Sequence, residues 1–183
     1  LQKDDGRITL DASAIAKGYA CDQVMNYLKQ FNFTYICVNL GGNLSVFGES
    51  RIYERLNKKV ETQIQNPFDE KSTIIKTTNT NMTIVSSGTY ERYFTVNGKN
   101  YHHILDSKTG YPIDNELVMV SIIGTNSCIC DGLSTGVFSL GLEEGIKLIQ
   151  SMEGYSAFFI TKDKKIYSVN NVNFELTETG LNN

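Results

Sequence analysis

The sequence contains no tryptophan, only two prolines and only two histidines among its 183 residues. Its four cysteines form no C-x-x-C pair, and no histidine has the spacing of a zinc site, so neither a redox motif nor a structural metal is indicated. We therefore expect the cysteines to be small buried apolar residues. No apolar run approaches the roughly 20 residues that span a bilayer, so we do not expect this chain to cross a membrane.

An excess of positive charge is also missing. Lysine and arginine number 17 against 20 aspartates and glutamates, which gives a net charge of −3 and no electrostatic reason to expect nucleic acid as a partner. With 40% apolar residues, 10 tyrosines and 9 phenylalanines, the chain can build one hydrophobic core, and we predict a single domain over residues 1–183. Patterned sequence follows directly on Leu1, which predicts a domain truncated at its N-terminal side.

Apolar residues recur at intervals of three and four after Ser13, which predicts a helix with Asp11 or Ser13 as its cap. The stripe that we expect to face the core consists of Ile15, Tyr19, Ala20, Val24, Leu28 and Phe31. A second helical stripe, Ile129, Leu133 and Val137, is followed by a third helix over residues 142–152.

Short apolar runs bounded by glycine or polar turns predict strands at residues 35–40, 44–47, 82–85, 90–96, 101–105, 117–123, 156–161 and 166–169. Asn97-Gly98 is a strong hairpin signal. Residues 51–81 are predicted to hold one or two strands. Because strands and helices do not alternate as βαβ units, the pattern favours an α+β fold with mainly antiparallel sheets and packed helices.

Asp131 and Thr135 are four residues apart, so on a helix both side-chain oxygens project from one face, with Leu133 and Val137 on the other. A carboxylate and a hydroxyl suit Mg²⁺, which prefers oxygen ligands. The spacing alone favours a commoner explanation over a metal site, namely a helix N-terminal aspartate and a threonine that bonds back to the preceding turn.

Two glycine turns follow predicted strands, Gly41-Gly42 and Ser87-Gly88. Together their backbone N–H groups could form a rim that accepts phosphate, although tight turns explain them as well. Lys17, one turn into the first helix, could counter a phosphate or remain solvated.

Both histidines are adjacent, His102-His103, and strand alternation points them to opposite faces. One of them can face a pocket or serve as a structural hydrogen-bonding residue. The polar turn that begins at Asp106 would lie at the rim of the same pocket.

Five segments, taken in order, resemble the motifs of the ApbE family: residues 10–22 (LDASAIAKGYACD), 38–43 (VNLGGN), 86–94 (SSGTYERYF), 102–112 (HHILDSKTGYP) and 131–136 (DGLSTG). Proteins of this family are FAD:protein FMN transferases, once called thiamine biosynthesis lipoproteins. The resemblance implies an ApbE-like, T-fold-like α+β domain and a Mg²⁺-dependent enzyme. Such an enzyme cleaves FAD, attaches FMN through a phosphoester to a Thr or Ser of a target flavoprotein, and releases AMP.

The resemblance also assigns roles to individual residues. The side-chain metal ligands would be Asp131 and Thr135, completed by oxygens at Ala14 and Ser134. The positions that contact FAD would be Asp11, Lys17, Gly41, Gly42, Ser87, Gly88, His103, Ile104 and Leu105. The base that takes the proton of the acceptor would be His103, or Asp106 through water.

The partners implied are FAD and an acceptor flavoprotein with a Thr or Ser target, such as a subunit of a redox-driven ion pump. Because members of the family commonly begin with a lipoprotein or export signal, the resemblance implies an extracytoplasmic lipoprotein whose membrane anchor lies outside this chain. Two alternatives stay open: an FAD pyrophosphatase that gives FMN and AMP, and a flavin-binding module without catalysis. The chain has Thr89 where many family members have aspartate, so the role of that carboxylate does not transfer.

Overall fold

The computed structural model describes residues 4–56, 60–78, 80–170 and 174–177. The helices in these ranges are α1 (Ser13–Leu28), α2 (Arg51–Arg55), α3 (Ser127–Leu140) and α4 (Leu142–Gln150). The strands are β1 (Tyr35–Leu40), β2 (Asn43–Gly48), β3 (Thr62–Asn66), β4 (Asp69–Thr77), β5 (Met82–Gly88), β6 (Tyr93–Val96), β7 (Lys99–His102), β8 (Leu117–Gly124), β9 (Ser156–Thr161), β10 (Ile166–Val169) and β11 (Phe174–Leu176).

The main sheet has six strands in the order β1-β2-β5-β8-β9-β10, and every pairing in it is antiparallel. A three-stranded sheet, β11-β4-β3, and the β6–β7 hairpin complete the fold. The prediction of an α+β fold with antiparallel sheets is confirmed.

Alternating residues of the central strands enter two separate cores. On one face Val120 and Ile122 pack with Val137 and Phe138 of α3. On the other face Met119 and Ile123 pack against the isoleucines of β3 and β4, which are Ile64, Ile74 and Ile75. The sheet is therefore covered on both sides, and α3 is fixed directly above strands β5 and β8.

The apolar stripe predicted for α1 is wrong in its direction. Tyr19 is 58% exposed, and the residues of α1 that are buried are Gly18, Cys21 and Met25. The small residues Gly18 and Cys21 allow α1 to lie close to α3 and β2, so they set the inner face in place of the larger side chains. Ile129 is likewise exposed, whereas Val137 of the same predicted stripe is fully buried.

Residues 51–81 contain the predicted strands as β3 and β4, but also the short helix α2, which no pattern in the sequence predicted. The hairpin predicted at Asn97-Gly98 is confirmed as β6 and β7, and the predicted strands at 156–161 and 166–169 pair antiparallel as β9 and β10. Asn97 and Gly98 both have positive φ, 50° and 77°, as the tight turn between β6 and β7 requires.

The cysteines are all free. Cys21 and Cys130 are buried as predicted, but Cys128 is only partly buried, and Cys37 is exposed because no described element covers its side of β1. In the described part of the chain, no helix combines the length and hydropathy needed to span a membrane.

Candidate active site

The site is built where α1 crosses α3 at Gly18. The Gly18 N–H donates to Asp131 Oδ2 at 2.8 Å, and a Cβ at this position would lie 2.2 Å from the carbonyl oxygen of Ser127. Only glycine fits so close an approach. The contact leaves Asp131 4% exposed, facing α1 from the first turns of α3.

The beginning of α3 is held by two side chains. Asn126 Oδ1 accepts the Ile129 N–H at 2.8 Å, and Asp22 of α1 accepts the N–H groups of Ser127 at 2.9 Å and Cys128 at 2.8 Å. A carboxylate at a helix N-terminus satisfies free donors and the helix dipole together. The bonds from Asp22 to the start of α3, together with the bond from the Gly18 N–H to Asp131, therefore fix the position of Asp131 relative to α1.

Strand β5 brings its hydroxyl groups to the same place. Ser87 Oγ lies 2.7 Å from Ser134 Oγ and 3.3 Å from Thr135 Oγ1, and Ser134 Oγ donates to the Asp131 carbonyl oxygen at 2.9 Å. The predicted group of Asp131, Ser134 and Thr135 therefore lies beside the predicted turn residue Ser87. The adjacent Gly88 is packed against the ring of Tyr90 and the Val118 carbonyl oxygen, which leaves no room for a side chain.

The other predicted turn joins the site through Lys17. Lys17 Nζ donates to the Gly41 carbonyl oxygen at 3.1 Å, and Gly41 and Gly42 have φ values of 58° and 94° that favour glycine. The Gly42 N–H donates to Asn39 Oδ1 at 3.2 Å, so this N–H is already used within the turn.

Glu91 is a residue of the site that sequence reasoning missed. Its carboxylate reaches Gly42, with Oε1 3.9 Å from the position of a Cβ there. The pKa of Glu91 is raised, chiefly because the surrounding protein limits hydration of the charge, while Lys17, His103 and Arg92 act in the opposite direction and Asp131 adds to the rise. The feature of the sequence that could have identified Glu91 is its position in the segment Tyr90-Glu91-Arg92, three residues after the Ser87-Gly88 turn.

The two histidines do face opposite ways. His102 is buried, its Nε2 bonds to the Ile113 carbonyl oxygen at 2.9 Å, and its Nδ1 accepts the Ile104 N–H at 3.3 Å. Burial is the main reason that the pKa of His102 is lowered. His103 is exposed, with Nδ1 3.2 Å from the Arg92 carbonyl oxygen, and it interacts with the charge of Glu91. His103 is thus the histidine open to a ligand.

The residues after His103 lead away from Asp131. Ile104 is buried in the core, whereas Leu105 and Asp106 line a cleft of about 1020 Å³ between residues 105–116 and the junction of α3 and α4. Asp106 Oδ1 accepts the Lys108 N–H at 2.8 Å. The structure therefore groups Lys17, Ser87, Asp131, Ser134 and Thr135, and it places Asp106 on the wall of a separate cleft.

The remaining predicted positions lie at the start of α1. Asp11 Oδ1 accepts the Ser13 N–H at 2.8 Å, and this bond is the main cause that lowers the pKa of Asp11. Ala14 is exposed in the first turn. Asp11 thus orders the chain just before the helix, but the N-cap residue is Ala12, which forms no side-chain cap bond, and not the predicted Asp11 or Ser13.

The donor set fits a hard cation such as Mg²⁺. No cluster of three His, Cys, Asp or Glu side chains occurs among the described residues, so any metal here would rely on Asp131 with hydroxyl and backbone oxygens. Asp131 is buried, and no Lys or Arg side chain of the described ranges forms an ion pair with it. A buried carboxylate without a countercharge is costly, and a bound cation would supply that charge.

A second polar group in this region lacks a partner. The side chain of Asn43, directly after Gly42, is fully buried, and neither its Nδ2 nor its Oδ1 forms a hydrogen bond with the described residues. Asn43 pairs across the sheet with Val85, two residues before Ser87. Buried polar atoms are almost always satisfied, so the interior next to the turn is suited to a ligand or an ordered water.

These features coincide with a sequence match. Residues 1–159 match the model of the ApbE family, and the chain belongs to this family. The chain is similar to the FAD:protein FMN transferase of Klebsiella pneumoniae, with 41% identity over 158 residues that cover 86% of this chain and 47% of the relative. The transferase of Haemophilus influenzae is 32% identical over 180 residues, 98% of this chain and 51% of its own length.

Solved structures agree with the fold. The ApbE protein of Thermotoga maritima is 28% identical with a TM-score of 0.77, covering 88% of this chain and 52% of that one. The flavin transferase ApbE of Vibrio cholerae is 28% identical with a TM-score of 0.76, covering 92% and 53%. This chain spans about half the length of the curated relatives and solved chains that it matches.

Proposed function

We propose that this chain carries the catalytic site of a Mg²⁺-dependent FAD:protein FMN transferase. The observation that supports it most is the buried carboxylate of Asp131, which forms no ion pair in the described ranges and belongs to the same helix as Thr135, whose Oγ1 lies 3.3 Å from Ser87 Oγ. Its relatives in the ApbE family are named for this activity.

The proposed chemistry needs charge neutralisation more than covalent help. A bound Mg²⁺ would supply Lewis acidity and neutralise charge on the pyrophosphate of FAD. Asp131 and Thr135 would hold it, with oxygens at Ala14 and Ser134 as further ligands. Lys17, held at the Gly41 turn, would orient and neutralise phosphate oxygens at the same end of the sheet.

In the transfer step, the hydroxyl oxygen of the acceptor forms a bond to the phosphorus of the FMN portion. The bond from that phosphorus to the bridging oxygen breaks, and AMP leaves with the electron pair. The proton of the acceptor passes to His103, which is exposed and interacts with the charge of Glu91, because Asp106, the other base that the resemblance implies, lies in the separate cleft.

The remaining proposals concern the whole protein. The acceptor would be a flavoprotein with a Thr or Ser target, such as a subunit of a redox-driven ion pump, and the full-length protein would be an extracytoplasmic lipoprotein. If water replaces the acceptor hydroxyl, the same site gives an FAD pyrophosphatase. A flavin-binding module without catalysis would bind FAD and release no AMP.

The test is AMP release from FAD, measured by chromatography with and without an acceptor flavoprotein, in Mg²⁺ and in chelator. The wild-type chain should release AMP only with Mg²⁺, and Asp131→Asn should lower the rate by about 100-fold or more, because a metal ligand is lost while the acceptor for the Gly18 N–H is kept. Asp163→Asn, in the β9–β10 turn, is the matched control. Equal rates with and without acceptor would favour the pyrophosphatase, and AMP release in chelator would contradict the metal site.

A further inference from the structure

The outer side of α1 and the residues just after it carry large apolar side chains spaced at multiples of four, which we call the α1 ridge: Ile15, Tyr19, Tyr27 and Phe31, with the uncharged Gln23 between Tyr19 and Tyr27. Tyr27 is 60% and Phe31 48% exposed. The Tyr27 and Phe31 rings pack edge to face with their centroids 5.3 Å apart. Single exposed apolar residues are ordinary, but several on one side of a helix, including a packed aromatic pair, are typical of a binding surface.

The charges of α1 make this surface unusual for a solvated helix. The helix has two charged residues, Lys17 and Asp22. Lys17 bonds to the Gly41 carbonyl oxygen and Asp22 bonds to the start of α3, so both are engaged with neighbouring elements of the domain. The ridge therefore contains no charge, whereas a helix face in water normally carries most of the charge of its helix.

The inner side of α1 is apolar as well. Cys21 and Met25 are buried in a small core with Ile36 and Val38 of β1. A helix that is apolar on its inner side and carries uncharged residues with exposed aromatic rings on its outer side is expected between two layers of protein, and here the second layer is not part of the described chain.

Helix α3 extends the uncovered surface beyond Ile15. The Cγ2 atom of Ile15 lies 3.2 Å from the position of a Cβ on Gly132, and Ile129 is 46% exposed. No atom lies within 4 Å of the Cβ position of Gly136. Another backbone could approach α3 closely along these glycines.

We propose that the α1 ridge, with Ile129 beside it, is the docking surface for a layer equivalent to the half of the ApbE relatives that this chain does not match. The match covers 86% of this chain but 47% of the Klebsiella relative, and 92% against 53% for the Vibrio structure. The relatives thus carry about as much polypeptide again. An uncharged aromatic ridge is suited to permanent contact with an apolar layer. The proposal does not depend on the flavin chemistry.

The experiment compares the 183-residue chain with a fusion in which the unmatched half of the Klebsiella relative is joined to it in the order of that relative. Cys37→Ser and Cys128→Ser remove the two cysteines that are not buried, and Tyr19→Cys places one reactive thiol on the ridge. The control is Phe94→Cys on β6, where Phe94 is 63% exposed. We expect maleimide labelling at position 19 to slow about ten-fold or more in the fusion and labelling at position 94 to stay unchanged.

A second ridge position, Tyr27→Cys, guards against a local effect of Tyr19→Cys. Equal labelling rates in the two chains at both ridge positions would overturn the proposal. Protection of the ridge in the 183-residue chain alone, together with a dimer in sedimentation, would overturn it too, because a second copy would then be the occupant. Labelling requires neither FAD nor Mg²⁺, so its result is independent of the proposed transferase activity.

Discussion

Helices α1 and α3 lie side by side but are held in different ways. The N-terminus of α3 is capped by Asn126 and Asp22, and its sides pack against both α1 and the sheet. The N-cap residue of α1, Ala12, forms no side-chain cap bond, and no element of the described ranges covers its outer side. The geometry of the site thus depends on α3 as the fixed element, with α1 located against it through Gly18 and Asp22.

The largest effect is expected from Gly18→Val, which places a side chain at the crossing point of α1 and α3. A side chain there collides with the Ser127 carbonyl oxygen and with Asp131, so α1 must separate from α3. We expect the free energy of unfolding to fall by about 3 kcal/mol or more. Denaturant unfolding measures it, with Gly136→Ala, in open space on α3, as the control that should change stability by less than about 1 kcal/mol.

A second test concerns the side of α3 where the ring of His102 meets Phe138, with centroids 6.1 Å apart. The pKa of His102 is lowered mainly by burial, helped by the charges of His103 and Lys162, and opposed by the bond to Ile113 and by Asp114. The fold therefore favours the neutral ring. Its stabilising contribution is complete above the ordinary histidine pKa of about 6.5 and is lost as the pH falls through the lowered value.

The free energy of unfolding should therefore decrease when the pH is lowered from about 7.5 to about 5. This interval brackets the ordinary histidine pKa of about 6.5. His102→Gln should flatten this decrease, because the titrating ring is removed. His103→Gln should leave it in place, since His103 is exposed. The same slope in both variants would contradict the structural role of His102.

The smallest expected effect is that of Tyr19→Lys on the outer side of α1. Tyr19 is 58% exposed, so a lysine there should change the free energy of unfolding of this chain by less than about 0.5 kcal/mol. A loss of several kcal/mol in thermal or denaturant unfolding would show that the ridge is covered within this chain after all.

The same two helices show what could be predicted from sequence. The spacing of Asp131 and Thr135 predicted their shared location, because a regular helix fixes which residues share a face. The strands at 35–40, 156–161 and 166–169 were predicted residue for residue from alternation and turns. The predicted direction of the apolar stripe of α1 was wrong. Periodicity shows that a helix face is apolar, but it does not show whether that face packs against the rest of the chain.

Other features depended on contacts distant in sequence. Ser87 and Ser134 meet only because β5 lies beneath α3, 47 residues away. The pKa of Glu91 is raised mainly by loss of hydration, and Asp131 of α3, distant from Glu91 in sequence, adds to the rise. The separation of Asp106 from Asp131 likewise follows from the path of residues 105–116 along the α3–α4 junction.

The most direct measurement is an FAD titration of the 183-residue chain, followed by flavin fluorescence, in Mg²⁺ and in chelator, beside Asp131→Asn. If Asp131 holds a cation against the pyrophosphate, Mg²⁺ should tighten FAD binding by about ten-fold or more in the wild-type chain and have no effect in the variant. Binding that is equally tight in chelator, or a variant that responds to Mg²⁺ as the wild type does, would contradict the metal site.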